Sequence, residues 1–154
     1  MKGRHDFAFQ TGEWQVRHRK LVRRLAGCRR WYEFGGTCRG WEVLGGAGNV
    51  DDHWLDDPGG AYAAATVRRA DPATGLWTIW WMDQRFPGLA APLEGRFEKG
   101  IGTFFGVDEL EGQPIVMRFI WSRICANSAR WEQAFSADGG TSWETNWVMD
   151  FARA

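Results

Sequence analysis

The chain has no net charge, no regular cysteine spacing and no long apolar run, and each absence excludes a class of protein. Nineteen Lys and Arg balance nineteen Asp and Glu, so a generally basic nucleic-acid binder is not expected. The three cysteines, Cys28, Cys38 and Cys125, form no Cys-x-x-Cys pair. A zinc knuckle is therefore not suggested, and the thiols read as the reduced cysteines of a cytosolic protein. The first residues, MKGRHDFAFQ, lack the apolar stretch of a signal peptide. No run is long enough to cross a bilayer as a helix. Nucleophile elbow, Walker loop and dinucleotide glycine pattern are all missing. Residues 45–49 are glycine-rich but lack the Lys-Ser/Thr and following helix of a phosphate loop, and read as a mobile loop. The resulting expectation is a cytoplasmic protein with no membrane or nucleic-acid partner, no metal and no other cofactor.

What is abundant is tryptophan, with eleven in 154 residues, beside ten phenylalanines and twenty glycines. A chain of this length is one domain, 1–154, and at this size roughly 70% of the unfolded surface can be buried. The aromatic residues lie in short alternating segments cut by Gly, Asp, Asn and Pro, which is the pattern of serial hairpins. Strands are expected at 13–25, 31–38, 41–44, 50–55, 61–69, 76–83, 93–98, 102–107, 115–124, 129–135 and 142–152, after a short helical turn within 3–11. About ten strands in sequence, with no helical period, predict an all-β, up-and-down antiparallel barrel, because closure removes exposed edges. A β-sandwich is the alternative. Charge is unevenly spread. Residues 1–40 carry ten basic and three acidic groups, giving +7, and residues 41–154 carry −7. This reads as two oppositely charged surfaces.

Two local motifs stand out. Gly12-x-Trp14 opens the first long strand. Ser136-Ala-Asp138-Gly-Gly140-Thr-Ser142-Trp143 reads as a hairpin turn in which Asp138 accepts from backbone amides and Trp143 caps the loop. It occurs once, which excludes a propeller.

The Gly-x-Trp element resembles that of lipocalins and related calycin barrels, and the resemblance implies that Trp14 closes one end of the barrel with an arginine from late in the chain, Arg153 or else Arg130, across its indole face as a cation–π contact. Trp77-x-Ile-x-Trp81, Gly95-x-Phe97, Gly100-x-Gly102-x-Phe104, Arg118-Phe-x-Trp121, and the run from Arg130 through Trp147 to Asp150-Phe-x-Arg153 are similar to a family of small bacterial proteins of unknown function. That family has a lipocalin-like fold. The resemblance covers about residues 6–153. It implies the barrel and brings no activity, substrate or catalytic set.

Strand parity supplies the candidate site. Trp14, Val16 and His18 share one face, as do Met117, Phe119 and Trp121, and Trp143, Thr145, Trp147, Met149 and Phe151. If these faces point inward, Trp14, His18, Met117, Phe119, Trp121, Trp131, Trp147 and Met149 line a pocket for a small hydrophobic or aromatic molecule. Arg118, Arg130, Glu132 and Asp150 then lie outside as cross-strand charge ladders. Trp77 and Trp80 sit on opposite faces, so one of them must be outside, where a loop or a homodimer partner would cover it. This binding protein, without catalysis, is the leading expectation. One alternative is an isomerase, cyclase or hydratase using a lumenal His–carboxylate pair, with His18 and Glu33 as the pair. Another is a haem protein with His18 or His53 as axial ligand. His53 lies in Asp51-Asp52-His53-Trp54-Leu55-Asp56-Asp57, which reads as a solvated acidic loop.

Overall fold

The computed structural model describes residues 1–154. A 3-10 turn, Ala8–Gln10, precedes ten strands. They are β1 Gly12–Leu21, β2 Trp31–Val43, β3 Gly48–Leu55, β4 Tyr62–Ala70, β5 Trp77–Asp83, β6 Leu93–Glu98, β7 Ile101–Leu110, β8 Gln113–Ser122, β9 Ser128–Ser136 and β10 Glu144–Arg153. Each strand pairs antiparallel with its neighbours in sequence, and β1 pairs with β10, so the sheet closes into a barrel. The all-β, ten-stranded barrel with an N-terminal turn is the predicted architecture, and closure excludes the sandwich. No helix is long and apolar enough to cross a membrane.

Three local expectations are corrected. The strand expected over 13–25 ends at Leu21, and residues 22–30 form a loop. The segments 31–38 and 41–44 are one strand, β2. The break was expected at glycine, but Gly40 serves close approach rather than a turn. A Cβ there would collide with Gln10, which packs against the strand. The third concerns β10, whose register slips between Thr145 and Trp147. That bulge puts Asn146 in the interior beside Trp147 and takes Trp143 off the inner face. Trp143 instead caps the hairpin, its Nε1–H donating to the Gly140 carbonyl at 3.1 Å, with Arg118 over its ring at 4.4 Å.

The inner face is aromatic almost throughout. Trp14, Trp77, Trp121, Phe7 and Phe104 are fully buried. One end of the barrel is plugged by the N-terminal segment. Phe7 packs edge-on against Trp77 at 4.8 Å and Phe97 at 5.0 Å, and Phe9 against Trp121 at 5.3 Å. Edge-to-face contacts of this kind add to the area they bury. Arg153 locks the plug. Its guanidinium lies 3.7 Å from the Trp14 ring centre and donates to the carbonyls of Phe9 (2.9 Å), Thr11 and Ala126 (3.2 Å). Arg130 instead pairs with Asp150 on the outer wall at 2.8 Å. Of the β5 pair, Trp77 is inside and Trp80 faces outward, half-buried.

Candidate functional site

The site starts from the two-residue period of a strand. Asp51, His53 and Leu55 of β3 share the inner face, and register sets Cys38 of β2 opposite His53 and Thr66 of β4 opposite Asp51. Residues 51–57 are therefore mostly strand, with Asp51 and His53 buried, and the acidic-loop expectation for His53 is overturned. Asp51 is fully buried and well satisfied. It accepts from Arg68 Nη2 at 2.8 Å, from Gln10 Nε2 at 2.9 Å and from the Thr66 amide at 3.0 Å, and His53 Nε2 lies 3.4 Å away. Burial alone would push its pKa up, but the Arg68 guanidinium and then His53 hold the carboxyl below the usual carboxylate range. Asn49 Oδ1 takes the other arm of Arg68.

In the tautomer that turns an Nε2–H toward Asp51, 3.4 Å away, Nδ1 of His53 is a lone pair. His53 Nδ1 is buried without a partner, as are Arg68 Nε and Trp121 Nε1. All three residues line one chamber of about 10 Å³, together with Trp81, Phe119 and Trp131. That space holds about one water, and a water needs two to four polar partners. Two N–H donors and one lone-pair acceptor meet that requirement.

Trp81, Phe119 and Trp131 also line a larger pocket of about 200 Å³ at the other end of the barrel, with Met117 and Trp147. Of the residues predicted to bind a ligand, Phe119, Trp121, Trp131 and Met149 line the chamber, while Met117, Phe119, Trp131 and Trp147 line the mouth pocket. Trp14 lines neither. It belongs to the plugged end, its Nε1–H bound to the Gln10 carbonyl at 3.0 Å. His18 is inside the barrel but also lines neither space. Its Nδ1 accepts from Trp147 Nε1 at 3.1 Å, and its ring stacks on Phe34 at 4.7 Å. Burial, then the charges of His53 and Lys20, lower its pKa to about 3, so it is neutral. Gly36 permits this packing, because a Cβ there would press on both His18 Nε2 and the Trp54 carbonyl.

The pair predicted between His18 and Glu33 is not formed. Glu33 is on the outer face of β2, 3.3 Å from Arg17 and 3.5 Å from Arg19, because it alternates with the inward Phe34. The haem expectation meets a filled interior: His18 lines neither internal space, and the chamber inside the barrel beside His53 admits a water and no macrocycle.

The expectation of no metal and no cofactor is overturned as well. Cys38 Sγ, an Asp51 oxygen and His53 Nε2 are buried and lie within 4.8 Å of one another, a spacing that could hold a metal ion. Thiolate, imidazole and carboxylate together are a zinc-type donor set. Burial, then the Asp51 charge, pushes the Cys38 thiol well up. Cys38 and Asp51 both face the same nitrogen, Nε2. His53 therefore cannot relay a proton between them, and a Cys–His–Asp nucleophilic triad does not fit this geometry.

No protein-family model matches the chain, and a search of curated proteins finds no match.

Proposed function

We propose that the protein is a small barrel enzyme that carries out acid–base chemistry on a small, largely apolar molecule, with His53 as the base and Asp51 as its orienting carboxylate. The observation that carries this reading is the unpartnered Nδ1 of His53, buried in a chamber with room for one water and backed on Nε2 by an ionised Asp51. A base held by a carboxylate in a dry site is arranged to take a proton from whatever fills that chamber. A water there, oriented by Arg68 and Trp121, is a nucleophile for hydration of an activated double bond. His53 takes the water's proton as the C–O bond forms and returns it to the adjacent carbon. Trp81, Phe119 and Trp131 form the boundary between this chamber and the mouth pocket, where the substrate would lie. The lipocalin-like affiliation is supported by the closed barrel and by Arg153 over Trp14.

The test is a screen of unsaturated and hydroxylated small molecules for gain or loss of water, read by incorporation of labelled oxygen, with His53→Ala and Asp51→Asn beside the wild type. Activity that survives His53→Ala undiminished overturns the reading. So does a nitrogen NMR spectrum in which the proton of neutral His53 sits on Nδ1.

A second reading uses the same residues as a metal centre, favoured by the mutual proximity of Cys38, Asp51 and His53. Gln10 Oε1, buried and unpartnered, is a fourth candidate donor. Binding would release the Cys38 proton and set the ion in competition with Arg68 for Asp51. Cobalt titration separates the readings. A thiolate charge-transfer band that disappears in Cys38→Ser supports the metal centre, and its absence rejects it.

A further inference from the structure

We propose that the open mouth of the barrel is an anion subsite, in which Arg24, with Arg85 beside it, binds the carboxylate of a ligand whose apolar body fills the mouth pocket. This rests on the reading of the interior as a small-molecule site, and it names the class of molecule.

Four cations surround one opening: Lys20 from β1, Arg23 and Arg24 from the loop 22–30, and Arg85 just after β5. Arg23 and the acid Glu111 are exposed and line none of the mouth pocket. Two of them have partners. Lys20 Nζ is buried, 3.4 Å from Asp57 and 2.9 Å from the Tyr62 hydroxyl. Arg85 grips Asp83 through Nε and Nη2 at 3.2 and 3.1 Å. Asp108, the remaining acid on the pocket wall, is exposed at the rim and accepts from the Glu109 amide. Arg24 has no carboxylate. Its guanidinium lies 5.3 Å from the Phe135 ring centre, and the ionisable groups acting most on it are Tyr32, Arg85 and Tyr62. It is only partly exposed. A half-buried guanidinium with no carboxylate of its own to offset its desolvation, beside a second guanidinium that only Asp83 neutralises, is costly. An anion seated on Arg24 supplies the missing partner. Guanidinium forks also match a planar carboxylate in two parallel hydrogen bonds.

Below these cations the pocket turns apolar. Leu93, Met117, Phe119, Trp131, Phe135 and Trp147 line about 200 Å³. A molecule seated with its carboxylate on Arg24 would extend its body toward Trp131 and Phe119, the residues that border the His53 chamber. The subsite would thus fix which end of the substrate reaches the base. The chemical class is a small aryl or short alkyl carboxylic acid.

Two matched pairs test this: 3-phenylpropanoate against 3-phenylpropanol, and octanoate against octanol, by titration calorimetry with the whole protein. Within a pair only the head group differs. The carboxylates should bind the wild type about tenfold more tightly than the alcohols, with the preference shrinking as salt rises. Arg24→Gln should abolish the preference while leaving alcohol affinity within about twofold, and Arg24→Lys should keep part of it. Far-UV circular dichroism confirms that each variant is folded. Equal binding of acid and alcohol, saturable binding of neither, or a preference that persists in Arg24→Gln each overturns the subsite. His53→Ala should leave the head-group preference intact. Loss of turnover in that variant therefore reports on the acid–base reading, and loss of preference in Arg24→Gln on this one.

Discussion

Removing the Asp51 carboxylate should cost more than its size suggests, because of what it leaves behind. In Asp51→Ala, Arg68 keeps its bond to Asn49 and its place over Phe7, 4.7 Å from that ring centre. It loses its only ion-pair partner while remaining buried. The Thr66 amide loses its side-chain acceptor, whereas Gln10 Nε2 can still donate to Cys38 Sγ at 3.4 Å. Breaking a buried ion pair from one side typically costs about 3–5 kcal/mol. The bonds retained by Arg68 and Gln10 argue for the middle of that range, about 4 kcal/mol. For a domain of this size each kcal/mol lowers Tm by roughly 2–4 °C, so the expected drop is about 8–16 °C. Adding Arg68→Met removes the stranded charge, and the double variant should recover about half of the loss or more. Urea unfolding followed by tryptophan fluorescence measures both steps. A loss below about 1 kcal/mol, or a double variant worse than the single by the full cost of Arg68→Met alone, would refute the claim that Asp51 and Arg68 compensate each other in a dry interior. The same coupling has a pH signature. The folded pKa of Asp51 is depressed, so its contribution is complete above the unfolded value near about 4 and is lost as pH falls through the lower folded value. Asp51→Asn should remove that part of the acid sensitivity.

His18 gives a separate acid effect at higher pH. Its folded pKa is lowered to about 3 from 6.5, so the unfolded chain takes up the proton first. Stability should fall steadily as pH drops from 6.5 towards 3, and urea midpoints of His18→Gln should show a flatter slope over that interval. Arg153→Met, which breaks two bonds to the plug and one to the Ala126 carbonyl, should cost about 2–3 kcal/mol and speed hydrogen exchange of residues 7–11. Arg130→Met on the outer wall should cost less than about 1 kcal/mol by the same urea assay. Asp138 accepts from Ser142 most strongly, and its pKa is lowered to about 2. Its carboxyl should titrate near that pH by NMR, and Ser142→Ala should move the titration upward.

The alternation of Trp14, Val16 and His18, and of Met117, Phe119 and Trp121, made the barrel and its inner faces readable in the sequence, because a strand has only two sides. The site was harder to see. Asp51-x-His53 has same-face spacing, yet the neighbouring Asp52, Asp56 and Asp57 make the segment look solvated, and Trp54 on the opposite face is the exposed one. Parity leaves open which of Trp54 and Leu55 is inside. Cys38, Thr66 and Arg68 join Asp51 and His53 only through the registers of β2 with β3 and of β3 with β4, and composition does not encode register. Glu33 failed as a partner for His18 for a simpler reason. It neighbours Phe34, and in a strand adjacent residues cannot both face in.

The seam between β1 and β10, with Trp14 opposite Arg153, has a consequence for synthesis. β1 leaves the ribosome before every other strand of the barrel, and its second partner after all of them. Until β10 emerges, the nascent chain is a curled sheet with two raw edges and a tryptophan-rich concave face exposed to the cell. Local hairpins can form at once, since every other pairing joins neighbours in sequence. The final closure must bridge nearly the whole chain and is the slow, non-local step. During that interval its open edges are exposed to pairing with those of another copy.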